Sequence, residues 1–521
     1  MKMKDAIPVI DLFAGPGGLC EGFSSVKDSD GNPRFAVKVS IEKDPVAHRT
    51  LHLRALFRKF PKGKAPDVYY QYIRGEIKRE DFLGHPSIKA AAAEADSEAQ
   101  CAELGVTSPE VIDSWIREAL GNRRNWVLIG GPPCQAYSLA GRARLRGKSE
   151  KEIKAFESDK RHFLYTEYLR IIQQFEPSIF VMENVKGMLN STLAGSSIFD
   201  RIMGDLMEPK DGLRYEIRSL VVDGAELEPR DFVIESENFG IPQCRHRVIL
   251  FGIRSDVAKM TPQLAANPRM FLLRKAFPKV GVGVALTGIP PIRSRISREE
   301  DSHRKWLAAL RQTSANLVRW KSPGRKGIRD IIKTAIEQAK GYDSAGGPFL
   351  EAKPIDGSKI PKELKNWLLD DRLGGVIQHE SRSHMVPDLH RYMFASSFAQ
   401  FSGYAPNLKA FPPMLLPDHG NVESESMPFL DRFRVQVKGE PATTVVAHIQ
   451  KDGHYYIHPD PAQCRSLTVR EAARLQTFPD NYFFEGNRTQ QYGQVGNAVP
   501  PLLARKIAKV ILKFLTTSEY R

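Results

Sequence analysis

Cysteine is scarce in this chain: five in 521 residues, at positions Cys20, Cys101, Cys134, Cys244 and Cys464, with no C-x-x-C pair among them. An odd, scattered set argues against a disulfide scaffold and against a zinc ribbon. Long apolar runs are missing too. No stretch approaches the ~20 residues of a membrane span, and Asp11 interrupts the leading MKMKDAIPVIDLF before a signal-like core can form. These absences predict a cytoplasmic protein without membrane contact, in a compartment that keeps thiols reduced. Metal-binding spacing is also lacking, because His379-Glu380 is not followed by the second histidine of H-E-x-x-H, so no metal is expected. Acidic residues are in the minority: Lys and Arg number 76 against 61 Asp and Glu, giving a formal charge of +15 and a basic protein that attracts polyanions.

What the chain does have is a set of apolar runs ending in chemically pointed loops. Ile7-Pro8-Val9-Ile10-Asp11-Leu12-Phe13 reads as a buried strand, followed by Ala14-Gly15-Pro16-Gly17-Gly18 and a helical stretch from Leu19 to Phe23. Strand, glycine turn and helix make a nucleotide-type site. Cys20 stands where a G-x-G-x-x-G fingerprint needs its last glycine, so a pyrophosphate is poorly supported. A second strand, Phe35 to Ile41, ends at Glu42, where an acid commonly takes a ribose hydroxyl pair. Adenosine without pyrophosphate points to S-adenosylmethionine.

The run Gly130 to Ser138 (GGPPCQAYS) follows the apolar strand Trp126-Val127-Leu128-Ile129 and places Cys134 on a loop stiffened by Pro132 and Pro133. A thiolate at the carboxyl end of a central strand sits where an open α/β sheet presents chemistry. Ile179-Phe180-Val181-Met182 is another apolar strand, ending in Glu183-Asn184-Val185. Arg245 and Arg247, two apart in Gln243-Cys244-Arg245-His246-Arg247 before the strand Val248 to Gly252, are expected on one face of an extended segment.

Taken in order, DLFAGPGG, GGPPCQAYS, ENV, QCRHR, the stretch Arg470 to Pro479 (REAARLQTFP) and Gly496 to Pro500 (GNAVP) give the chain a specific resemblance to DNA (cytosine-5)-methyltransferases. The match reaches both chain ends and leaves roughly residues 255 to 465 unmatched, which the resemblance makes a target-recognition region. It implies an α/β, Rossmann-like S-adenosylmethionine-dependent methyltransferase domain, a mostly parallel doubly wound sheet, over 1–258 and completed by 488–521. A second, smaller recognition domain would span 259–487. The implied reaction moves a methyl group to C5 of a cytosine flipped out of double-stranded DNA, releasing S-adenosylhomocysteine.

The chemistry suits these residue types. Cytosine C5 is too weak a nucleophile to attack a sulfonium methyl until a thiolate has added at C6, and Cys134 is the candidate nucleophile. Glu183 would supply a proton at N3, and Arg245 would steady charge at O2 with Arg247 beside it or on a phosphate. By resemblance Phe13, Gly15, Gly17, Gly18, Glu42, Pro133 and Asn497 are cofactor contacts; Gly75-Glu76-Ile77 is the nearest candidate for a further acidic contact. Flipping the base costs a few kcal/mol. Arg142, Arg144, Arg146, Lys148, Lys151 and Lys154 follow the cysteine loop as a basic segment suited to a phosphate backbone.

Other segments carry weaker signals. The insertion between Glu42 and Trp126, with helices over Ala90 to Gln100 and Val111 to Leu120, reads as a surface elaboration. From Arg293 to Lys333 basic residues interleave with Trp306 and Trp320, a composition suited to a groove or backbone contact or to a solvated helix. Val445 to Gln450 and His454 to His458, around Lys451-Asp452-Gly453, read as a hairpin. Arg470 to Gln476 should be helical, and Gly496 to Phe514 should return to the first domain. A monomer acting on double-stranded DNA is expected, either as the modification enzyme beside a restriction endonuclease that acts separately on the same site or as an orphan DNA methylase. The competing readings are an RNA (tRNA) cytosine-5-methyltransferase, whose usual Cys-Phe-Thr element is absent, and a catalytically silent DNA-binding relative.

Overall fold

Ile7–Leu12 forms β1, buried along its whole length, as a strand covered on both faces must be. In the computed structural model, which describes residues 6–133, 164–193, 196–224, 226–318, 326–417 and 430–517, this strand lies inside an eight-stranded sheet. The other strands are β2 (Phe35–Glu42), β3 (Ala99–Cys101), β4 (Val127–Gly130), β5 (Ile179–Val185), β6 (Tyr215–Arg218), β7 (Val233–Glu235) and β8 (His246–Arg254). Their order is β3-β2-β1-β4-β5-β8-β6, with β7 also on β8. Strands β1 to β5 are parallel to one another. Chain order reverses between β1 and β4, so the loops leaving β1, β2, β4 and β5 open on one edge beside a switch point. Since β8 runs antiparallel to β5, with Arg247 opposite Val185, its beginning arrives at that same edge.

Each face of the sheet is covered by helices. On one side α1 (Gly18–Ser24) packs with the carboxyl-terminal helix Pro501–Thr517, in a cluster that joins Phe23 and Leu51 to Leu502, Ile507, Ile511 and Phe514. The expected return from Gly496 to Phe514 is therefore present, with the helix itself beginning at Pro501. Gly22 makes it close: a Cβ there would lie 2.4 Å from that of Ala504. The other side carries helices Pro109–Leu120 and Leu164–Phe175, with Ile112, Ile116, Tyr168 and Ile171 against Leu128 and Phe180.

The insertion departs from expectation. Its helix α2 (Pro45–Arg58) is followed by α3 (Asp67–Arg74), α4 (Pro86–Glu98) and α5 (Pro109–Leu120). The alanine-rich helix stops at Glu98, and Ala99–Cys101 instead extends the sheet edge as β3 beside Ser40 to Glu42, since ladder hydrogen bonds outweigh a few tenths of a kcal/mol of helix propensity per residue. Nor is it only a surface elaboration. Tyr69, Tyr72 and Phe82 share a core with Leu373 and Ile377, Tyr70 Oη donates to Asp370 at 2.7 Å, and Arg372 donates to the Ala65 carbonyl at 2.6 Å.

Beyond the sheet, α6 (Leu164–Phe175) is followed at a distance by α7 (His303–Val318), α8 (Lys326–Ala339) and α9 (Val386–Ser402). The last three bury Trp306, Leu310, Ile332, Ile336, Leu389 and Met393 together. Trp306 is fully buried, its Nε1 donating to Ser294 Oγ at 2.9 Å, so it is a core anchor while Arg304, Lys305 and Arg311 face solvent. Arg319, Trp320, Lys321 and Arg325 fall outside the described residues.

Helix α10 (Val469–Leu475) forms where Arg470 to Gln476 was expected to be helical, and it opens with a capping box of Thr468 and Glu471. The hairpin around Asp452-Gly453 does not form: Ala447–Gln450 is a 3-10 turn, while Ile457 bridges Val435 and Ser466, so the two flanks take their hydrogen bonds elsewhere. Helices α11 (Arg488–Asn497) and α12 (Pro501–Thr517) finish the described chain. Among the described residues no helix is long and apolar enough to cross a membrane.

Candidate active site

At the end of β1, Phe13 adopts a left-handed φ of 59° and Gly15 one of 57°, and Gly17 caps α1 at φ 97°. Phe13 spends conformational energy there, which a surrounding structure must supply. The turn aims the Gly15 amide at Glu42, whose Oε2 accepts it at 2.8 Å while Oε1 accepts the Asp44 amide at 2.8 Å. Burial raises the Glu42 carboxyl above its ordinary range even though both amides oppose that. Gly18 allows another close approach, since a Cβ would stand 2.3 Å from the Val499 carbonyl oxygen. Asn497, two residues earlier, is the exposed last residue of α11. Pro133 is placed just beyond β4.

Behind this loop lies a pair the sequence reading treated only as punctuation. Asp11 is fully buried, Cys20 Sγ donates to its Oδ2 at 2.8 Å, and its Oδ1 has no partner. Burial pushes the Asp11 carboxyl up to about 7. Cys20 replaces a fingerprint glycine because it serves this carboxyl. The left-handed turn, the carboxylate at Glu42 and the unfilled acceptor of Asp11 fit an adenosine-bearing, cationic ligand.

The second half of the site is built where β5 and β8 meet. Glu183 Oε1 lies 2.8 Å from Arg247 Nε, and each side chain keeps little more than a tenth of its surface exposed. Gly131, the first residue after β4, leaves only enough room for itself: a Cβ would stand 2.9 Å from Glu183 Oε2. The proline loop therefore departs directly beside this carboxylate. Cys134, with the basic residues from Arg142 to Lys154, falls outside the described residues.

Arg245 and Arg247 are divided by the structure. Arg245 is buried, and its NH1 donates to the carbonyls of Val445 at 2.8 Å and Gly496 at 3.2 Å. Burial and the neighbouring Arg247 drive its pKa well below the ordinary arginine value. Its Nε has no hydrogen-bond partner, and that of Arg247, though in ion-pair range of Glu183, has none in hydrogen-bond geometry. Such orphaned donors are expensive and cluster where a ligand completes the set.

A family model for the C-5 cytosine-specific DNA methylases matches residues 116–513. The chain belongs to this family. Its similarity to type II methyltransferases extends over nearly the whole length: M.Bpa9945I of Bacillus paralicheniformis is 31% identical over 96% of this chain and 98% of its own, and M.AgeI of Thalassovita gelatinovora is 27% identical over 76% and 85%. A solved structure, that of a candidate DNA modification methyltransferase encoded within an E. coli prophage, aligns over 98% of this chain and 100% of its own with a TM-score of 0.52 at 19% identity, which supports the fold. As a member of a methyltransferase family acting on DNA cytosine, the protein uses S-adenosylmethionine as methyl donor.

Several residues of this methylase were not legible as functional. Gln243, fully buried, donates from Nε2 to the Leu475 carbonyl at 3.2 Å and accepts the Val445 amide at 2.7 Å, while Ser236 Oγ accepts the Arg245 amide at 3.0 Å. Tyr482 Oη donates to the Pro16 carbonyl beneath the cofactor loop. Each works through contacts more than 200 positions away or across irregular backbone, where periodicity carries no signal; the glutamine opening QCRHR was the one visible hint. The acidic candidate near Gly75 is displaced: Gly75 ends α3 and Glu76 pairs with Arg74 at 3.4 Å, whereas the acid following the third strand is Glu103.

Proposed function

We propose that the protein methylates C5 of a cytosine extruded from a specific site in double-stranded DNA, with Cys134 as nucleophile, and that it serves as the modification enzyme for a type II restriction endonuclease, as the names of its relatives suggest. The observation that carries the residue assignment is the packing of Gly131 on Glu183, with Arg247 paired to the same carboxylate. It supports a cysteine loop that starts beside a carboxyl and the guanidinium paired with it.

Addition of the Cys134 thiolate forms the S–C6 bond and moves electron density toward N3 and O2. Glu183 delivers a proton or hydrogen bond at N3. Arg247 holds Glu183 in place, and the unpartnered Nε atoms of the arginine pair are the available donors for O2. Phe13, Gly15, Gly17, Gly18, Glu42 and Asn497 would hold S-adenosylmethionine, which would supply an electrophilic methyl for C5 and leave as S-adenosylhomocysteine. Loss of the C5 proton then expels the thiolate and restores the aromatic ring. The enzyme is proposed to work as a monomer.

The test is a duplex carrying 5-fluorocytosine in place of the target base, after bisulfite sequencing of DNA from expressing cells has located that base. With methyl donor present, fluorine blocks the final elimination and the protein should remain bonded to DNA through Cys134. A wild-type protein that methylates DNA yet never crosslinks, or a Cys134→Ala variant that crosslinks as well, overturns the assignment.

A further inference from the structure

A polar cavity of about 360 Å³ lies away from the methyl-transfer site, between the start of α9, the start of α11 and the Gln450–His454 loop. Its wall carries Arg382, Lys451 and Arg488. Arg382 is more than nine-tenths buried and held rigidly: its guanidinium lies 4.0 Å from the Tyr492 ring centroid, NH1 donates to the Lys451 carbonyl at 3.0 Å, and NH2 donates to that of Ile449. Its Nε has no hydrogen-bond partner. A guanidinium locked in position before any ligand arrives presents its positive charge to the cavity without rearrangement.

Two helix starts border the same space. Met385, which caps α9 without a side-chain hydrogen bond, lines it, so the positive end of that helix dipole adds to the three side-chain charges; Arg488 opens α11, whose start is already capped by Asn487 and Gln490, and its NH1 donates to the Ser381 carbonyl at 2.9 Å. Two carboxylates are present, but Asp388 is already paired with Arg391 at 2.9 Å and Asp452 accepts the His454 amide at 3.0 Å. Ser383 and Thr489 contribute hydroxyls.

We propose that this cavity binds a phosphate group. If the protein acts on DNA as proposed above, the natural source is a backbone phosphodiester of the bound duplex; a free phosphate or mononucleotide offers the same chemistry. Position favours the first source. Helix α11 runs from Arg488 at the cavity to Asn497 beside the cofactor loop, 10 residues, so the two sites are separated along it by roughly 15 Å at 1.5 Å per residue. That distance spans a few nucleotides of one binding site.

The experiment compares the full-length wild type with the double variant Lys451→Gln, Arg488→Gln, which leaves Arg382 and its carbonyl contacts intact. Methylation of an unmodified duplex by the wild type is the control on which the proposed function rests, independently of the cavity. The variant is expected to bind DNA about tenfold more weakly, with the log–log salt slope reduced by about one to two and kcat at saturating DNA unchanged. Duplexes with a single neutral methylphosphonate, moved along both strands, should then reveal one position where neutralisation weakens the wild type and leaves the variant unaffected, identifying a DNA phosphate. Should no position do so while inorganic phosphate or a mononucleotide raises the melting temperature of the wild type and not of the variant, the ligand is the free ion. Equal DNA affinity and slope in the two proteins, with no phosphate-dependent difference in melting, overturns the proposal.

Discussion

Two carboxyl groups in this protein occupy opposite settings, and each makes its own prediction. Glu183 faces Arg247 at the sheet edge, where its proposed task is to hand a proton to the base. Replacing it by Gln keeps the shape and removes the proton, so single-turnover methylation should slow by about a hundredfold or more with DNA affinity little changed; an unchanged rate removes the proton-donor role. Asp11 is instead fully buried, with Cys20 Sγ as its side-chain hydrogen-bond partner among the described residues. Its carboxyl titrates near 3.8 in an unfolded chain and near 7 when folded, so folding takes up a proton between those values and stability falls as pH rises through them, becoming level above about 7. The effect is on the order of 4 kcal/mol. Asp11→Asn, neutral at every pH, should therefore gain melting temperature relative to the ligand-free wild type as pH goes from 4 to 8. A difference that stays constant over that range would show that Asp11 does not hold its proton.

Elements fail or succeed here according to how far away their partners are. Strands β1, β4 and β5 were legible because strands buried along most of their length must be apolar, β2 through its apolar alternation, and α10 through its place in the motif stretch Arg470 to Pro479. Strand β3 was hidden, since Ala99-Gln100-Cys101 has no strand-like composition and becomes a strand only because β2 offers an open edge. The same limit explains the site. Motif order exposed Phe13, Glu42, Glu183 and the arginine pair, whereas the separation of Arg245 from Arg247 depends on the carbonyls of Val445 and Gly496, which no local pattern announces. The α1–α12 packing yields a direct test. Gly22→Ala would set a methyl group 2.4 Å from Ala504 Cβ and 2.5 Å from the Arg505 amide nitrogen, forcing the helices apart; a loss of about 1–3 kcal/mol in denaturant unfolding is expected. An Ala504→Gly partner change should recover only part of it, because the backbone contact remains.

Across the whole molecule, the cofactor turn is a meeting point of distant segments. Tyr482, just after α10, donates to Pro16, and Thr50 Oγ1 donates to Gln494 Oε1 at 2.6 Å. Arg54 joins Glu21 of α1 at 2.6 Å and Asn481 at 2.9 Å. The binding of S-adenosylmethionine should therefore stabilise more than the sheet, raising the unfolding temperature of the protein in one cooperative step. Tyr482→Phe leaves the Pro16 carbonyl without its buried donor, at a cost of about 1–3 kcal/mol, and should weaken S-adenosylmethionine binding in calorimetry by about tenfold. If affinity holds while stability drops, the hydroxyl is a structural tie and nothing more.

The contact of Gly18 with Val499 also sets a schedule for biosynthesis. The turn leaves the ribosome 481 residues before the Val499 segment that packs against it. At roughly 5–20 residues per second, the nascent turn waits about half a minute to a minute and a half for the helix that covers it. During translation the growing chain carries the apolar underside of α1 uncovered, a natural client for chaperones. The cofactor turn cannot be completed until that distant segment has been made.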